Sequence, residues 1–300
     1  MSQPAQISLL PEIPSRWSID GGVDLSPYHD SWLPIWLLFG LLCGCQHSAE
    51  TAPKPSLDFF QNGALVRSVQ PQSLPSLRRV VTFDPYYGKE KAFLAVPLRD
   101  LLLQGFAGRE LRSEQIVLRC RDGYLVPTTG QRLLEAGGFV AVGEAGAAVW
   151  ESIGPQHVDP RPFYLFWTGS HQQNIENYPR PWQITGIELA RFETLFPHVI
   201  PNGVAADAQA LRGLTLFRAQ CIRCHAINRE GGRIGPDLNV PQSIVEYRPV
   251  QQIRDYIVNP QRFRYSNMPP HPHLTAADLD ALVAYFVAMK DHKYDPAPGK

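Results

Sequence analysis

The run Cys221-Ile222-Arg223-Cys224-His225 puts two thiols and an imidazole within one short stretch of chain. Two cysteines separated by two residues can bond to the two vinyl groups of one porphyrin, and the adjacent imidazole can swing beneath its iron as proximal ligand. Other chemistries use the same run only in other surroundings. A zinc site needs two further Cys or His ligands at suitable spacing, and a thioredoxin-type redox pair sits at the start of a helix that follows a strand. Neither context is present in the sequence. The run therefore predicts one covalently attached haem c, anchored by Cys221 and Cys224, with His225 on the iron.

Such a site needs elements to carry it. Leu211, Leu214, Phe217 and Cys221 recur at helical spacing, which predicts an amphipathic helix from Ala206 to Cys224 that delivers the cysteines to the haem face. A second helix is signalled beyond the motif. Thr275 can cap it with Asp278 at the third position, Leu274 and Leu279 are placed as a hydrophobic staple, and Leu279, Leu282, Val283 and Phe286 form a buried stripe. Two helices thus bracket the haem run.

With these parts in place, residues from about Ala206 to Lys293 resemble a class I cytochrome c. The opening pattern is Gly213, Leu216, Phe217, Cys221, Cys224 and His225, and the loop after the haem run is Gly235-Pro236-Asp237-Leu238. Tyr256-Ile257-Val258-Asn259-Pro260, then Asn267-Met268-Pro269, and a closing helix with Tyr285 complete the likeness. It implies an all-α domain over 207–293, with His225 and Met268 as axial ligands and Pro236 placed to accept the His225 ring N–H. Met289 on the closing helix reads as core filler. Met268 differs, because Pro269-Pro270 make a rigid segment that suits a ligand loop better than a helix interior. His271 and His273 are the alternative ligands, and either would lower the reduction potential. A His/Met centre is coordinatively saturated, which suits electron transfer rather than oxygen binding or peroxide chemistry.

Between Ser56 and Pro201 the pattern changes to short strand-like runs: Ala64 to Val69, Arg79 to Phe83, Ala92 to Val96, Ile116 to Cys120, Gly138 to Val142, Phe163 to Trp167 and Ile184 to Leu189. Helical signals are few, at Leu98 to Gln104 and Gln131 to Ala136, so an α+β domain with a mixed sheet is expected over 56–201. Residues 202–206 read as a linker. The order of parts resembles the molybdopterin-binding domain of the sulfite oxidase superfamily, through Val96-Pro97-Leu98-Arg99-Asp100-Leu101-Leu102, Asp122-Gly123-Tyr124, Pro162-Phe163-Tyr164-Leu165 and Gln183-Ile184-Thr185-Gly186-Ile187. That family holds molybdenum through a cysteine upstream of the segment matching Val96 to Leu102. Here Val80 to Tyr87 contains none, and Cys120 falls downstream, where it reads as a small buried hydrophobe on a strand. A molybdenum cofactor is therefore not expected. Two readings follow: an electron carrier with a cofactor-free docking domain, or a molybdopterin-dependent dehydrogenase that passes electrons from a small substrate to its own haem. The missing cysteine favours the first.

Near the N-terminus, Trp32 to Gly44 is an apolar run ending Leu42-Cys43-Gly44-Cys45 and followed by the polar stretch Gln46 to Pro55. It is shorter than the roughly 20 apolar residues of a bilayer span and carries Pro34. It resembles a bacterial lipobox, with Leu42, Gly44 and Cys45 at the matching positions. The resemblance implies a signal peptide over 1–44, lipidation at Cys45, a tether over 45–55 and a place on the periplasmic side of a membrane. Gln46, where Asp would signal inner-membrane retention, leans towards the outer membrane. Arg16 is the only Lys or Arg before Trp32, against Glu12, Asp20, Asp24 and Asp30, which departs from the positive start of a signal peptide and puts the true start codon in question.

Three hundred residues suffice for two ordinary domains, and residues 294–300 read as a tail. Lys plus Arg equal Asp plus Glu at 28 each, so no strong field recommends nucleic acid as a partner. The expected partners are redox proteins, donor and acceptor, together with the membrane that holds the lipid anchor.

Overall fold

The computed structural model describes residues 54–154, 156–205 and 208–296. The lipobox, Cys45 and the tether up to residue 53 lie outside the described residues, as does the expected start of the first cytochrome helix at Ala206. The described segments belong to one compact unit.

Alternating apolar residues build two sheets in the middle region. Strands β1 (Leu57–Gln61), β2 (Ala64–Val69), β5 (Gln115–Cys120), β6 (Leu125–Thr129) and β9 (Ile184–Leu189) form a five-stranded sheet in the order β2-β1-β9-β5-β6. It is mixed, because β1 and β9 run parallel while the other pairs are antiparallel. Strands β3 (Arg78–Asp84), β4 (Lys89–Pro97), β7 (Gly138–Glu144) and β8 (Tyr164–Trp167) form an antiparallel four-stranded sheet in that order. One core joins the two sheets. Ile116, Leu118 and Cys120 from β5, Leu165 and Trp167 from β8, and Leu98, Leu101 and Leu102 from helix α1 (Leu98–Gly105) all lie within it. The intervening residues of β8, Tyr164 and Phe166, face a second cluster with Phe93 and Ala95, so this strand is buried on both sides.

The C-terminal region is helical: α4 (Gln209–Leu216), α5 (Ile244–Tyr247), α6 (Val250–Val258) and α7 (Ala276–Lys290), after the short α2 (Gly130–Leu133) and α3 (Phe192–Leu195) of the preceding region. One departure from an all-α arrangement is a two-residue hairpin, β10 (Ala226–Ile227) with β11 (Glu230–Gly231). The first helix is also shorter than its pattern suggests. It gives way at Phe217 to a π-helical turn, Phe217–Cys221, that ends on the first haem-run cysteine. The fully buried positions are Ala210, Gly213 and Phe217, while Leu211 and Leu214 are only half-buried. The face has rotated because Gly213 marks the crossing with α7. A side chain there would run into the Ala281 carbonyl oxygen and the Tyr285 Cβ.

Helix α7 follows its sequence signals. The Thr275 hydroxyl accepts from the Asp278 N–H at 3.2 Å, the Asp278 carboxylate accepts from the Thr275 N–H at 3.0 Å, and Leu279, Leu282, Val283, Phe286 and Met289 are buried. The Tyr285 hydroxyl donates to the Val199 carbonyl at 2.7 Å in the interior. That bond, with Phe192, Phe196 and Val199 in the same apolar cluster as Phe217, Tyr285 and Met289, brings the end of the middle region into the helical core before residue 201.

Gly213→Ala gives a clean test of the crossing. Helix propensity alone would stabilise the protein by roughly 1 kcal/mol. Overlap with α7 should instead lower stability by about 1–3 kcal/mol, seen as a lower urea midpoint at unchanged slope. A raised midpoint would mean that the helices do not meet at this glycine.

Candidate haem-binding site

The haem run sits where α4 ends. The His225 N–H donates to the Cys221 carbonyl at 2.9 Å and the Cys224 N–H to the same oxygen at 3.1 Å, so the two cysteines and the histidine share one tight turn. Ile222, between them, is fully buried and anchors the turn in the core. Both thiols are partly buried, and burial pushes Cys221 up to about 12 and Cys224 up to about 11. Reactive redox thiols are activated in the opposite direction. Among the described residues no three His, Cys, Asp or Glu side chains gather as a metal set, so the turn lacks the remaining ligands of a zinc site.

His225 is oriented by the chain that follows it. Its Nδ1 lies 2.9 Å from the Pro236 carbonyl oxygen, which can only accept, so Nδ1 carries the proton and Nε2 keeps its lone pair. Burial lowers the imidazole's proton affinity, the Pro236 contact working against it, and the neutral form is favoured. Gly235 lies against the same ring, where any Cβ would clash with it. The loop as a whole is tied down by two buried amides. Asn228 donates to the carbonyls of His198 at 2.7 Å and His292 at 2.8 Å, and Asn239 donates to the Asn228 side chain and the Met289 carbonyl, each at 2.8 Å.

Met268 lies beyond α6. Its N–H donates to the Ser266 hydroxyl at 3.2 Å, its carbonyl accepts from Gln261 at 3.2 Å, and Ser266 in turn meets the Tyr256 hydroxyl at 3.1 Å. The side chain is half-buried and packs on the same apolar cluster that Cys221 joins from the other side of the motif, along with Leu238, Ile244 and Leu274. Cys221 and the Met268 thioether thus pack on one apolar cluster, and Cys224 and His225, with its free Nε2, share the tight turn that starts at Cys221. That donor set beside an apolar cluster fits a covalently held haem.

Residues 210–290 match the family model Cytochrome c. This segment is a cytochrome c domain. A search of curated proteins finds no match to the chain. The match runs from α4 to α7 and includes Cys221, Cys224, His225 and Met268, and it makes this segment an electron-transfer domain of haem c type.

Its surroundings include contacts that sequence reasoning missed. Strand β5 presents Ile116, Leu118 and Cys120 to the middle core, while Val117, on its other face, joins the cytochrome core and Gln115 accepts from Arg218 at 2.8 Å. The turn Asp122-Gly123-Tyr124 docks on the haem run itself. The Leu125 N–H donates to the Arg223 carbonyl and the Arg233 N–H donates to the Gly123 carbonyl, both at 3.0 Å, while the Tyr124 phenol sits beside the Arg223 guanidinium. The Asp-Gly pair was legible as a turn, but nothing in it pointed to a partner about a hundred residues away.

Cys120 is 7% exposed in the apolar core, and burial holds its thiol well above the usual range. No cysteine stands between Val80 and Tyr87. Among the described residues no helix is long and apolar enough to cross a membrane.

Proposed function

We propose that the chain is a monohaem c-type cytochrome tethered through Cys45 to the periplasmic side of a bacterial membrane, passing single electrons between redox partner proteins. The observation that supports this reading is the tight turn shared by Cys221, Cys224 and His225 inside the cytochrome domain, with Cys221 and Met268 packed on the same apolar cluster. Cys221 and Cys224 would anchor the porphyrin, His225 Nε2 and the Met268 thioether would hold the iron, and Pro236 would keep the imidazole oriented. When bound, haem c supplies a one-electron Fe(III)/Fe(II) couple. As the second iron ligand, Met268 would favour the reduced form of that couple and leave no open position for small ligands. The buried cluster of Phe217, Ile222, Ile257 and Leu282 would give the haem an apolar backing.

The middle domain, in this reading, is a cofactor-free module fixed to the cytochrome. The absence of a cysteine from Val80 to Tyr87 supports it, together with the burial that keeps the Cys120 thiol protonated, because molybdenum in the sulfite oxidase-like family is held by a thiolate from that upstream segment. Protein from molybdenum-replete cells should contain about one iron per chain, with molybdenum far below that, and should titrate reversibly as a single one-electron step. Stoichiometric molybdenum lost in Cys120→Ala would replace this reading with the dehydrogenase.

The anchor has its own test. Acyl chains at Cys45 would supply roughly 0.8 kcal/mol per buried methylene, enough for stable attachment without a span. Cys45→Ser should appear in the soluble fraction or as an uncleaved precursor. An unmodified mature N-terminus elsewhere, found by mass spectrometry, would remove the lipid anchor from the proposal.

A further inference from the structure

Three sets of contacts join the middle domain to the cytochrome around the haem run, and two of them reach the Met268 loop. The backbone pair at Arg223 and Arg233 fixes the turn 122–124 against the Cys221–His225 segment. Glu176, in the loop after β8, accepts from the Arg223 guanidinium through its carbonyl at 3.4 Å and places its carboxylate 3.9 Å from His273 Nδ1. Gln156, in the loop before β8, donates through its side chain to the Asn267 side chain at 2.8 Å, next to Met268. Asn267 is thus hydrogen-bonded from one middle-domain loop, and His273 lies beside a carboxylate from another. Inside the cytochrome domain the same stretch is held by Gln261, by Ser266 and by the His271 N–H on the Ile257 carbonyl at 3.1 Å.

We infer that the middle domain is a clamp on the axial-ligand loop, with Gln156 and Glu176 as positioning residues that keep Met268 on the haem iron. The inference rests on Met268 being the distal ligand. Glu176 also stands beside His273, an alternative ligand five residues along from Met268. The clamp is small in energy because its contacts are exposed, and its effect is on ligand exchange rather than on folding. A loop held by fewer contacts spends more time open, and an added ligand that binds only the open state gains affinity in proportion.

The test uses the full-length haem-loaded chain and three observations: the near-infrared sulfur-to-iron absorption of the oxidised protein, the thermal unfolding midpoint, and the affinity for added imidazole. In the variant Gln156→Ala with Glu176→Ala, imidazole should bind about fivefold more tightly, at an unfolding midpoint and visible spectrum close to wild type. Gln156→Glu, whose carboxylate can accept from the Asn267 amide, should restore part of the difference. Unchanged imidazole affinity in the double variant, with the near-infrared band present in wild type, overturns the clamp and leaves Met268 ligation standing. A wild-type protein without that band overturns both.

Discussion

A chain carrying Cys221→Ser together with Cys224→Ser should emerge from a host with intact haem-ligation machinery colourless after acid-acetone extraction. Serine oxygen does not form the thioether, so His225 alone would hold the porphyrin and extraction would strip it. The loss should be complete rather than graded. The single variants should differ from it, each keeping some pigment through the remaining thioether. Because Cys221 is a half-buried neighbour of the Phe217–Tyr285 core, the double variant should also lose stability, beyond the small cost of replacing sulfur with oxygen, through the absent haem. Pigment surviving extraction in the double variant would mean that the haem is held elsewhere.

Met268→Ala should leave the haem attached and change its iron. The sulfur-to-iron absorption in the near infrared should vanish, and the potential should fall, because a thioether favours the ferrous state more than water or imidazole does. His271 offers a specific replacement. It stands three residues along the chain, its N–H is tied to Ile257, and burial together with the neighbouring His273, Arg223 and His225 lowers its proton affinity, so it is neutral and able to ligate near pH 7. Met268→Ala should then show a low-spin, bis-nitrogen spectrum, and Met268→Ala with His271→Ala should not. A near-infrared band that persists in Met268→Ala would assign the distal ligand to another methionine.

Much of the site was readable without the fold. The spacing of Cys221, Cys224 and His225 states its own chemistry, and the Thr275–Asp278 cap with the stripe at Leu279, Leu282, Val283 and Phe286 places the start and buried face of α7. The first helix was readable in existence but not in detail. Leu211 and Leu214 looked like its buried stripe, whereas the close crossing at Gly213 turns that face and half-exposes them. A glycine in a helical pattern marks such an approach only once the opposing helix is known. Two strands of the middle region escaped for local reasons. β1 has little more than Leu57 and Phe59 to show its alternation, and β6 contains Pro127, which argues against a strand. Pro127 is tolerated because β6 lies at the sheet edge.

What could not be read was the joining of the two regions. Val117 faces the cytochrome core while its neighbours Ile116 and Leu118 face the other way, a pattern that in sequence is a plain run of apolar residues. A two-sided strand of this kind reads as buried, and only the assembled chain tells what lies on each side. The contacts at Arg223, Asn267 and His273 are equally silent, since each pairs polar residues common on any surface.

The most direct measurement is the pyridine haemochrome of the wild-type chain after acid-acetone extraction, normalised to protein. Thioether-linked haem at about one per chain, remaining with the polypeptide, is the expected result. A colourless polypeptide with all pigment in the acetone phase would contradict it.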